Sequence, residues 1–479
     1  MTDEHNLFRE QRLANLRRLQ ALGLAPYGGA FERERIAEAA ARFQEGGEAR
    51  LAGRLVLIRN MGKSTFAHLD DGTGRFQIYL QKPEVGETSY EAFRCLDTGD
   101  IIGVEGGFFV TRTGERTLRV RRWTLLAKAL RPLPEKWHGL RDVEQRYRQR
   151  YLDLIANREV RDLFVRRSAM IREIRQFLHE EGFMEVETPM LQTQAGGAAA
   201  RPFLTHYQAL DVTMALRIAP ELYLKRLLVG GFDRLFELNR NFRNEGLDRT
   251  HNPEFTMLEL YEAYADVRRM KSLVQALILR VADRVFGTRT IGEGDRAIRL
   301  DPPWPEVTYS DLIRQRMGAD WFSLSADAAR ERARAHGLEV PGEWDHRLIT
   351  HEVYEKLIER TLVQPTFVTR LPSALIPLAR PCADDPALAD VFELVIRGQE
   401  IAPAYTELND PLLQREAFLR QAGDNPQKVD EDFLTALEYG MPPAGGMGVG
   451  IDRLCMILAG AEAIRDVILF PQLRPRHEG

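Results

Sequence analysis

Two alternating segments in the middle of the chain carry side chains that could bind a nucleotide. In Arg234–Glu245, Arg243 and Glu245 share one face, because residues two apart on a β-strand point the same way. A second alternating segment, 254–261, follows a loop that contains His251. As a strand, this segment would place Phe255, Met257, Glu259 and Tyr261 on one side. As a hairpin, the pair would offer an arginine for phosphate, a ring for a base and carboxylates for a cation. A surface salt-bridge ladder would explain any single pair but hardly the whole set.

A run of glycines near the C-terminus predicts a flat surface for a planar ring. Gly446, Gly448 and Gly450 alternate, so on a strand they leave one face without side chains, and the helix that follows places Arg453 beside it. We interpret this face, together with Phe255, as a sandwich for a nucleotide base. A dinucleotide-binding glycine loop fits poorly, because the third glycine spacing and the preceding βαβ context are missing.

Two glutamates flank a predicted hairpin around 397–399. A symmetric two-residue turn would set Glu393 directly opposite Glu400, and like charges paired in this way repel. The arrangement becomes favourable when a divalent cation bridges the carboxylates, and Mg²⁺ is usually held by two carboxylates and phosphate oxygens. The alternative is a pair of solvated glutamates on an edge hairpin in another register.

These residues belong to a large C-terminal region of mixed helices and strands. Within 151–479 there is no regular βαβ repeat of a parallel sheet, which predicts one α+β domain. Its segment Ser168–Pro189 begins as a helix, stops at Gly182 and continues as a short strand over 183–187. The proline- and arginine-rich residues 131–150 predict an exposed linker before this domain.

Residues 50–130 predict a small β-barrel of the OB-fold type. Apolar residues alternate with polar ones, at Leu55 and Leu57 and again from Phe76 to Leu80. Asp71-Gly72 and Thr113-Gly114 supply turns between short strands. Such a barrel commonly presents one face to single-stranded nucleic acid. That face could use Arg59, Phe66 and Gln77, although an aromatic residue in a barrel strand is more often core.

Residues 1–49 predict a helical extension. Over 7–24, leucines at helical spacing lie among arginines, which fits a helix docked on the next domain with solvated arginines, or alternatively a contact with RNA.

Composition limits the classes of protein that the chain can represent. Its 479 residues are 44% hydrophobic and 28% charged, as in a folded protein of about three domains. The net charge of −4 means that a nucleic acid would have to be held by local basic patches. Cys95, Cys382 and Cys455 lie far apart, which argues against a disulfide framework and a cysteine zinc site. The start lacks an apolar signal region and no run of about 18 apolar residues occurs, so we expect a cytoplasmic protein without a membrane partner.

Taken together, these segments resemble the motifs of the class II aminoacyl-tRNA synthetases, and specifically of the lysyl-tRNA synthetase family of the bacterial and eukaryotic type. The likeness extends from about residue 50 to the end. The three class motifs are matched by FMEVETP at 183–189, by FRNEG at 242–246 with THNPEFTMLELY at 250–261, and by GVGIDRL at 448–454. The lysine branch is indicated by GGAAARPF at 196–203, LRIAPELYLKRLLVGG at 216–231, TELND at 406–410 and IRDVILFPQLRP at 464–475.

The resemblance implies an antiparallel-sheet catalytic domain behind an OB-fold anticodon-binding domain, acting as a homodimer on ATP, L-lysine and tRNA(Lys) with Mg²⁺. It implies that Arg243, on the α-phosphate and the substrate carboxylate, and Arg453, towards the γ-phosphate, are catalytic. The implied lysine contacts are Gly197, Glu221, Arg243, Glu259, Tyr261, Tyr405 and Glu407. The implied ATP contacts are Arg243, Glu245, His251, Phe255, Glu400, Gly450 and Arg453. The implied metal ligands are Glu393 and Glu400, and the implied anticodon contacts are Arg59, Phe66, Gln77 and Glu115.

The chemistry of the residues agrees with this substrate. A pocket with two carboxylates and aromatic walls suits a long aliphatic stem that ends in an ammonium, whereas an aspartate pocket would need a cation.

Two rival functions remain. A lysine ligase that modifies elongation factor P resembles the same catalytic domain but lacks the barrel of 50–130. A synthetase-derived paralogue would bind RNA, or act as a regulator, without turnover.

Three positions depart from the family pattern. Pro403 stands where asparagine is usual, and in PSALIPLA at 372–379 Ala374 and Ile376 replace glutamate and serine. Asparagine offers donors and an acceptor, whereas proline offers no polar side chain and no N–H. We therefore expect a slower or weaker-binding enzyme. Strict alternation would also put Glu400 and Glu407 on opposite faces, so the alternative is that Pro403 only marks a bulge between them.

Overall fold

The computed structural model of the chain describes residues 3–134, 140–422 and 429–475. It divides into two compact units, Met1–Arg141 and Asp142–Gly479. The domain bounds at residues 49, 130 and 150 remain predictions. Residues 135–139 of the predicted linker, and 423–428 and 476–479 of the predicted catalytic domain, lie outside the described residues.

The first unit is built around a small β-barrel. Its elements are α1 (Asp3–Ala21), α2 (Ile36–Ala41), β1 (Glu48–Met61), β2 (Ser64–Asp70), β3 (Arg75–Gln81), α3 (Lys82–Val85), α4 (Glu87–Phe93), β4 (Ile101–Val110) and β5 (Arg116–Ala127). The strands close in the order β1-β2-β3-β5-β4. The predicted turns at Asp71-Gly72 and Thr113-Gly114 join β2 to β3 and β4 to β5. The predicted barrel is therefore confirmed.

One part of the predicted alternation in the barrel is wrong. Leu55 pairs with Leu69 and is fully buried, but Leu57 pairs with His68, so Val56 is an extra residue in β1. Such a bulge shifts every later residue to the other face. Leu57 is consequently outside the barrel core, and Ile58 packs against the core instead.

The leading helix α1 is docked within this unit. Leu19 is fully buried, whereas Leu22 is 42% exposed. The guanidinium of Arg12 is also buried, and it donates hydrogen bonds to the backbone carbonyls of Thr98 (2.9 Å) and Ala129 (3.1 Å). The docked interpretation of this helix therefore holds, but its arginines are not all solvated as that interpretation expected.

The second unit contains one large sheet and two small ones, β7-β9-β8 and β12-β13. Its helices are α5 (Val143–Arg148), α6 (Arg150–Ala156), α7 (Arg158–Glu180), α8 (Glu221–Val229), α9 (Val267–Val281), α10 (Tyr309–Met317), α11 (Ala326–Ala335), α12 (His346–Val353), α13 (Pro411–Ala422), α14 (Glu431–Glu438) and α15 (Ile451–Leu458). Its strands are β6 (Met184–Glu185), β7 (Leu191–Gln192), β8 (Leu204–Tyr207), β9 (Val212–Leu216), β10 (Arg234–Phe242), β11 (Glu254–Ala263), β12 (Thr290–Ile291), β13 (Ile298–Arg299), β14 (Glu306–Thr308), β15 (Thr366–Thr369), β16 (Val391–Ile396), β17 (Gln399–Thr406) and β18 (Ala444–Gly450).

The large sheet has the order β14-β15-β16-β17-β18-β11-β10-β6 and is antiparallel except at its two edges. One face of it packs against α7, α9 and α15 in a single apolar core that includes Ile174, Leu258, Leu277, Leu394 and Ile457. Helix α9 begins where the Asp266 side chain caps two backbone N–H groups. The predicted α+β class is thus confirmed, and the opposite face of the central strands is left for a cavity.

Two predicted elements have different lengths in the structure. The helix predicted in the segment Ser168–Pro189 is α7, which begins at Arg158 rather than near Ser168. The strand predicted over 183–187 is β6, which is limited to Met184–Glu185. Strand β10 ends at Phe242, so Arg243 and Glu245 lie in the following loop and not on a strand face. Among the helices that the structure describes, none is both long and apolar enough to cross a membrane.

Candidate active site

A cavity of about 1530 Å³ lies in the second unit, over the face of the central strands that the helices leave open. All the residues that the sequence assigns to lysine, ATP or the metal line it. They are Gly197, Glu221, Arg243, Glu245, His251, Phe255, Glu259, Tyr261, Glu393, Glu400, Tyr405, Glu407, Gly450 and Arg453. Residues that are up to 256 positions apart, from Gly197 to Arg453, are thereby brought to one site.

The glycine strand β18 lies directly beside β11. Tyr261 is paired with Gly446, and Met257 with Gly450. A Cβ on Gly446 would meet the Tyr261 ring, and a Cβ on Gly448 would come within 2.6 Å of Met257 Cε. The glycines therefore make room for neighbouring side chains, because a larger residue would collide with them.

This register corrects the predicted base sandwich. Phe255 lies opposite Asn241 on β10 and has no glycine as its cross-strand partner. Its ring instead packs under the guanidinium of Arg243, with 5.1 Å between Cζ and the ring centroid. Gly450 is the glycine nearest to Phe255 in register. A Cβ added to it would lie 3.8 Å from the Arg453 side chain, which is an ordinary contact distance. Gly450 and Phe255, rather than the whole glycine face, remain as candidate contacts for a base.

Three buried carboxylates form the acidic end of the cavity. Glu221, Glu259 and Glu407 are at most 7% exposed. Burial, and then the negative charge of Glu221, raise the pKa of Glu259 to about 8. Burial also raises the pKa of Glu407 to about 8, although a neighbouring cation opposes this shift. Carboxyl groups with such raised pKa values bind a proton readily and would accept an ammonium in its place.

Sequence reasoning missed Lys225, a fully buried cation that contacts two of these carboxylates but does not itself line the cavity. Its ammonium is 2.7 Å from Glu221 Oε1 and 2.5 Å from Glu407 Oε2. The signal was present in the sequence, because Lys225 follows Glu221 by four residues and such pairs lie on the same face of a helix.

Arg453 is held at the opposite end of the cavity. It donates one hydrogen bond to the backbone carbonyl of Glu400 (2.9 Å) and another to Nε2 of His251 (3.0 Å). Nδ1 of His251 then donates to Asp248 (2.8 Å), a residue that sequence reasoning did not assign to the site. Partial burial acts against the charge of Asp248, but hydrogen bonds from Thr250 and His251 lower its pKa to about 2. An ionised Asp248 therefore orients the imidazole and, through it, the arginine.

The β16–β17 hairpin differs from the predicted symmetric one. Its two-residue turn is Arg397-Gly398, both at positive φ, so Glu400 lies opposite Val395. Glu393 lies opposite Pro403, and the prediction that the two glutamates face each other directly is wrong. Val395 is two residues from Glu393 on one strand, so both glutamates nevertheless share a face, as diagonal neighbours.

The bulge in this hairpin is at Ile401, not at Pro403. Leu394 pairs with Ala402 and Val395 with Glu400, which leaves Ile401 without a cross-strand partner. The extra residue restores the alternation, so that Glu400, Pro403, Tyr405 and Glu407 all line the cavity. Ile376 also lines the cavity and presents an apolar side chain, whereas Ala374 does not reach it.

The glutamate pair fits a hard cation. Burial, followed by the charges of Glu400 and Glu359, raises the pKa of Glu393 well above its usual range. The hydroxyl of Tyr354 donates a hydrogen bond to Glu393 (3.1 Å). In the described part of the chain no group of three or more His, Cys, Asp or Glu side chains is arranged as a complete metal site. Oxygen donors from a bound phosphate would therefore have to complete the coordination of Mg²⁺.

The barrel places the four predicted anticodon residues on β1, β2, β3 and the turn just before β5. Arg59 is exposed and pairs across the strands with Phe66, whose ring is 4.5 Å from that of Tyr79. Phe66 lies outside the barrel core, which argues against the core interpretation of this aromatic residue. Glu115 is 3.3 Å from Nε2 of His68. Gln77 is buried, and its amide donates a hydrogen bond to Thr117 (2.8 Å).

Comparison with known families defines the class of the protein. The family described as tRNA synthetases class II (D, K and N) matches residues 142–474. The family described as OB-fold nucleic acid binding domain matches residues 49–126. The predicted fold, an antiparallel-sheet synthetase domain after an OB-fold barrel, is thereby confirmed.

Individual relatives define the branch. The chain is 52% identical to the lysine–tRNA ligase of Pelotomaculum thermopropionicum, with 98% of this chain and 94% of that protein covered. It is 51% identical to the lysine–tRNA ligase of Moorella thermoacetica (98% of each) and 45% identical to that of Staphylococcus saprophyticus (99% and 100%). The chain therefore belongs to the lysine–tRNA ligase family of the class II tRNA synthetases.

Proposed function

We propose that the protein joins L-lysine to tRNA(Lys) in two steps at the cavity of the second unit. The lysine carboxylate attacks the α-phosphorus of ATP, forming lysyl-adenylate and releasing pyrophosphate. A terminal ribose hydroxyl of the tRNA then attacks the adenylate carbonyl and releases AMP. The observation that carries this proposal is the set of three buried carboxylates, Glu221, Glu259 and Glu407, in the cavity of a chain from this family.

The acidic end suits both ammonium groups of lysine. Glu221 is proposed to bind the α-amine, close to the backbone of Gly197, whose positive φ brings it near the start of helix α8. Glu259 and Glu407 are proposed to bind the ε-ammonium, and Tyr261 and Tyr405 line the pocket around its aliphatic stem. An uncharged or anionic side chain would leave these carboxylates buried without a partner, which is costly.

Arg243 and Arg453 are proposed to stabilise the charge that develops on the phosphates. Both are fixed before substrate binds, Arg243 by the Phe255 ring and Arg453 by Glu400 and His251. Prepositioned donors of this kind lower the barrier most, because they need no reorganisation during the reaction. Glu393 and Glu400 are proposed to hold Mg²⁺, which when bound neutralises phosphate charge. Such a reaction requires no covalent enzyme nucleophile.

The test measures amino-acid-dependent exchange of pyrophosphate into ATP, with lysine, arginine, ornithine and aspartate supplied separately. We expect exchange with lysine far above that with the other three, because the carboxylates require an ammonium at a fixed distance. Equal exchange with aspartate would refute the proposal. Charging of tRNA(Lys) by the same preparation separates a synthetase from a ligase acting on a protein such as elongation factor P. No exchange at all would favour the paralogue without turnover.

We also propose that the protein is a homodimer through residues 168–189, which the three-stranded sheet β7-β9-β8 follows directly in the chain. Large apolar side chains of this region are exposed, namely Met184, Leu191, Leu204, Tyr207, Leu210 and Val212. Such a group of apolar side chains is unusual on the surface of a monomer and favours a second copy. Sedimentation at micromolar concentration should give the mass of two chains, and an active monomer would contradict this prediction. A cytoplasmic location is proposed because tRNA charging takes place there.

A further inference from the structure

We propose that Lys225 is a positioning residue that leaves Glu407 with a single free oxygen and so favours an ammonium over a guanidinium in the side-chain pocket. The inference rests on the proposed activation of lysine and extends it to a specificity determinant. Lys225 belongs to helix α8 and is fully buried.

The ammonium of Lys225 is saturated by its surroundings. It lies 2.7 Å from Glu221 Oε1, 2.5 Å from Glu407 Oε2 and 3.4 Å from the carbonyl oxygen of Leu378. An ammonium has three N–H donors, and three acceptors are present. Burial disfavours its charge, but Glu221 and Glu407 outweigh this effect and raise the pKa of Lys225. Lys225 therefore stays charged, and it is directed at these acceptors rather than at the cavity, which it does not line.

The two oxygens of Glu407 are consequently not equivalent. Oε2 is paired with Lys225. Among the described residues neither oxygen receives a hydrogen bond of good geometry, but Oε2 is 2.5 Å from the Lys225 ammonium, whereas Oε1 lies over Gly446, where a Cβ would overlap it. A buried carboxylate oxygen without a donor is costly, so Oε1 is the atom that a ligand would have to satisfy.

One free oxygen discriminates between the two cationic amino acids. An ammonium is a point charge and is satisfied by separate single oxygens, such as Oε1 of Glu407 and an oxygen of Glu259. A guanidinium binds a carboxylate most strongly as a planar fork on both oxygens. Lys225 occupies one side of that fork, so arginine would lose its second hydrogen bond at Glu407.

Lys225 also sets the charge of the pocket. Glu221, Glu259 and Glu407 carry three negative charges when ionised, and Lys225 cancels one of them. The two that remain match the two ammonium groups of lysine. Arginine carries the same total charge, so the geometry at Glu407, rather than charge alone, has to separate the two substrates.

The experiment replaces Lys225 by methionine, which has a similar shape and no charge. Lysine- and arginine-dependent pyrophosphate exchange is measured for the wild type, for Lys225→Met and for Lys271→Met. Lys271 is the matched control, because it belongs to the same unit but pairs with Glu306 outside the cavity. We expect Lys225→Met to raise the KM for lysine by about tenfold or more, the size of one charge-assisted hydrogen bond. The ratio of kcat/KM for lysine to that for arginine should fall by a similar factor, and the KM for ATP should change less than twofold.

The outcomes separate positioning from a merely structural role. A loss of activity that leaves the lysine to arginine ratio unchanged would overturn the inference. If Lys225→Met fails to bind ATP or to melt cooperatively, Lys225→Gln, which keeps an N–H donor, is measured instead and should show a smaller change of the ratio in the same direction. Failure of both variants to bind ATP would identify Lys225 as a folding residue and would also overturn it. Absence of lysine-dependent exchange in the wild type would instead refute the proposed function itself.

Discussion

Replacing Glu259 by glutamine removes a charge from the lysine pocket without changing its shape. Glu259 is 5% exposed, and burial, with the nearby charge of Glu221, raises its pKa to about 8. At pH 7 the carboxyl group of the lysine-free enzyme is therefore mostly protonated. Ionising it to receive an ammonium costs about 1.4 kcal/mol per pH unit below its pKa. At pH 9 this cost is absent.

The effect of the substitution should consequently grow with pH. A hydrogen bond between charged groups contributes about 1.5–3 kcal/mol, so at pH 9 the glutamine variant should have a KM for lysine about 10- to 150-fold above the wild type. At pH 7 the wild type loses about 1.4 kcal/mol of this advantage to ionisation. The ratio of the two KM values should then be only about 1- to 15-fold.

The assay is lysine-dependent pyrophosphate exchange at pH 7, 8 and 9. The ratio of variant to wild type is the quantity to compare, because titration of the amines of free lysine affects both enzymes equally. Glu254→Gln, on the same strand but outside the cavity, is the matched control and should leave the KM for lysine unchanged. A ratio that is constant or falls between pH 7 and pH 9 would refute the assignment of Glu259 to the ammonium.

Three further substitutions test the barrel and the hairpin. Phe66→Ala should weaken tRNA charging by about 1–3 kcal/mol, the value of stacking one base, and leave pyrophosphate exchange nearly unchanged. Glu115→Ala should act in the same direction, and equal losses in both steps would mean that the barrel is not the anticodon-binding surface. Pro403→Asn places a polar side chain opposite Glu393. It should raise kcat/KM for lysine activation several-fold, because one such contact contributes about 0.5–1.5 kcal/mol. An unchanged or lower value in a folded Pro403→Asn variant would contradict the prediction.

The overall architecture was predictable because hydrophobic alternation reports directly on burial. Strand β11 shows this most clearly, since Leu258 and Leu260 enter the core on one face while Glu259 and Tyr261 line the cavity on the other. The same rule failed for Leu57, because the bulge at Val56 changes the face of the strand without changing the types of residue in it.

Residue types predicted which side chains line the cavity, but the pairings among them depended on contacts that a linear pattern does not contain. The ion pair of Lys225 with Glu407 joins residues 182 positions apart and needs the tertiary fold. The support of His251 by Asp248 is local, but it depends on a loop conformation stabilised by hydrogen bonds to the Asp248 carboxylate. Sequence reasoning therefore found the groups that line the cavity more readily than the groups that hold them.

The bulge at Ile401 explains how one strand can serve both ends of the cavity. Without it, strict alternation would turn either Glu400 or Glu407 away from the substrate, because seven positions separate them. With one extra residue, Glu400, Tyr405 and Glu407 all line the cavity, Glu400 at the proposed phosphate end and the other two at the proposed lysine pocket. The bulge is thus the structural feature that allows the proposed metal ligand and the proposed ammonium ligand to share one strand.

Pro403 lies after the bulge, within the regular ladder and opposite Glu393, so a polar side chain at this position would lie inside the cavity. If the bulge were at Pro403 itself, the proline in place of the usual asparagine would affect only the backbone geometry of the strand. In the observed register the side chain of residue 403 lines the cavity, and for this reason we expect an asparagine there to raise kcat/KM for lysine activation.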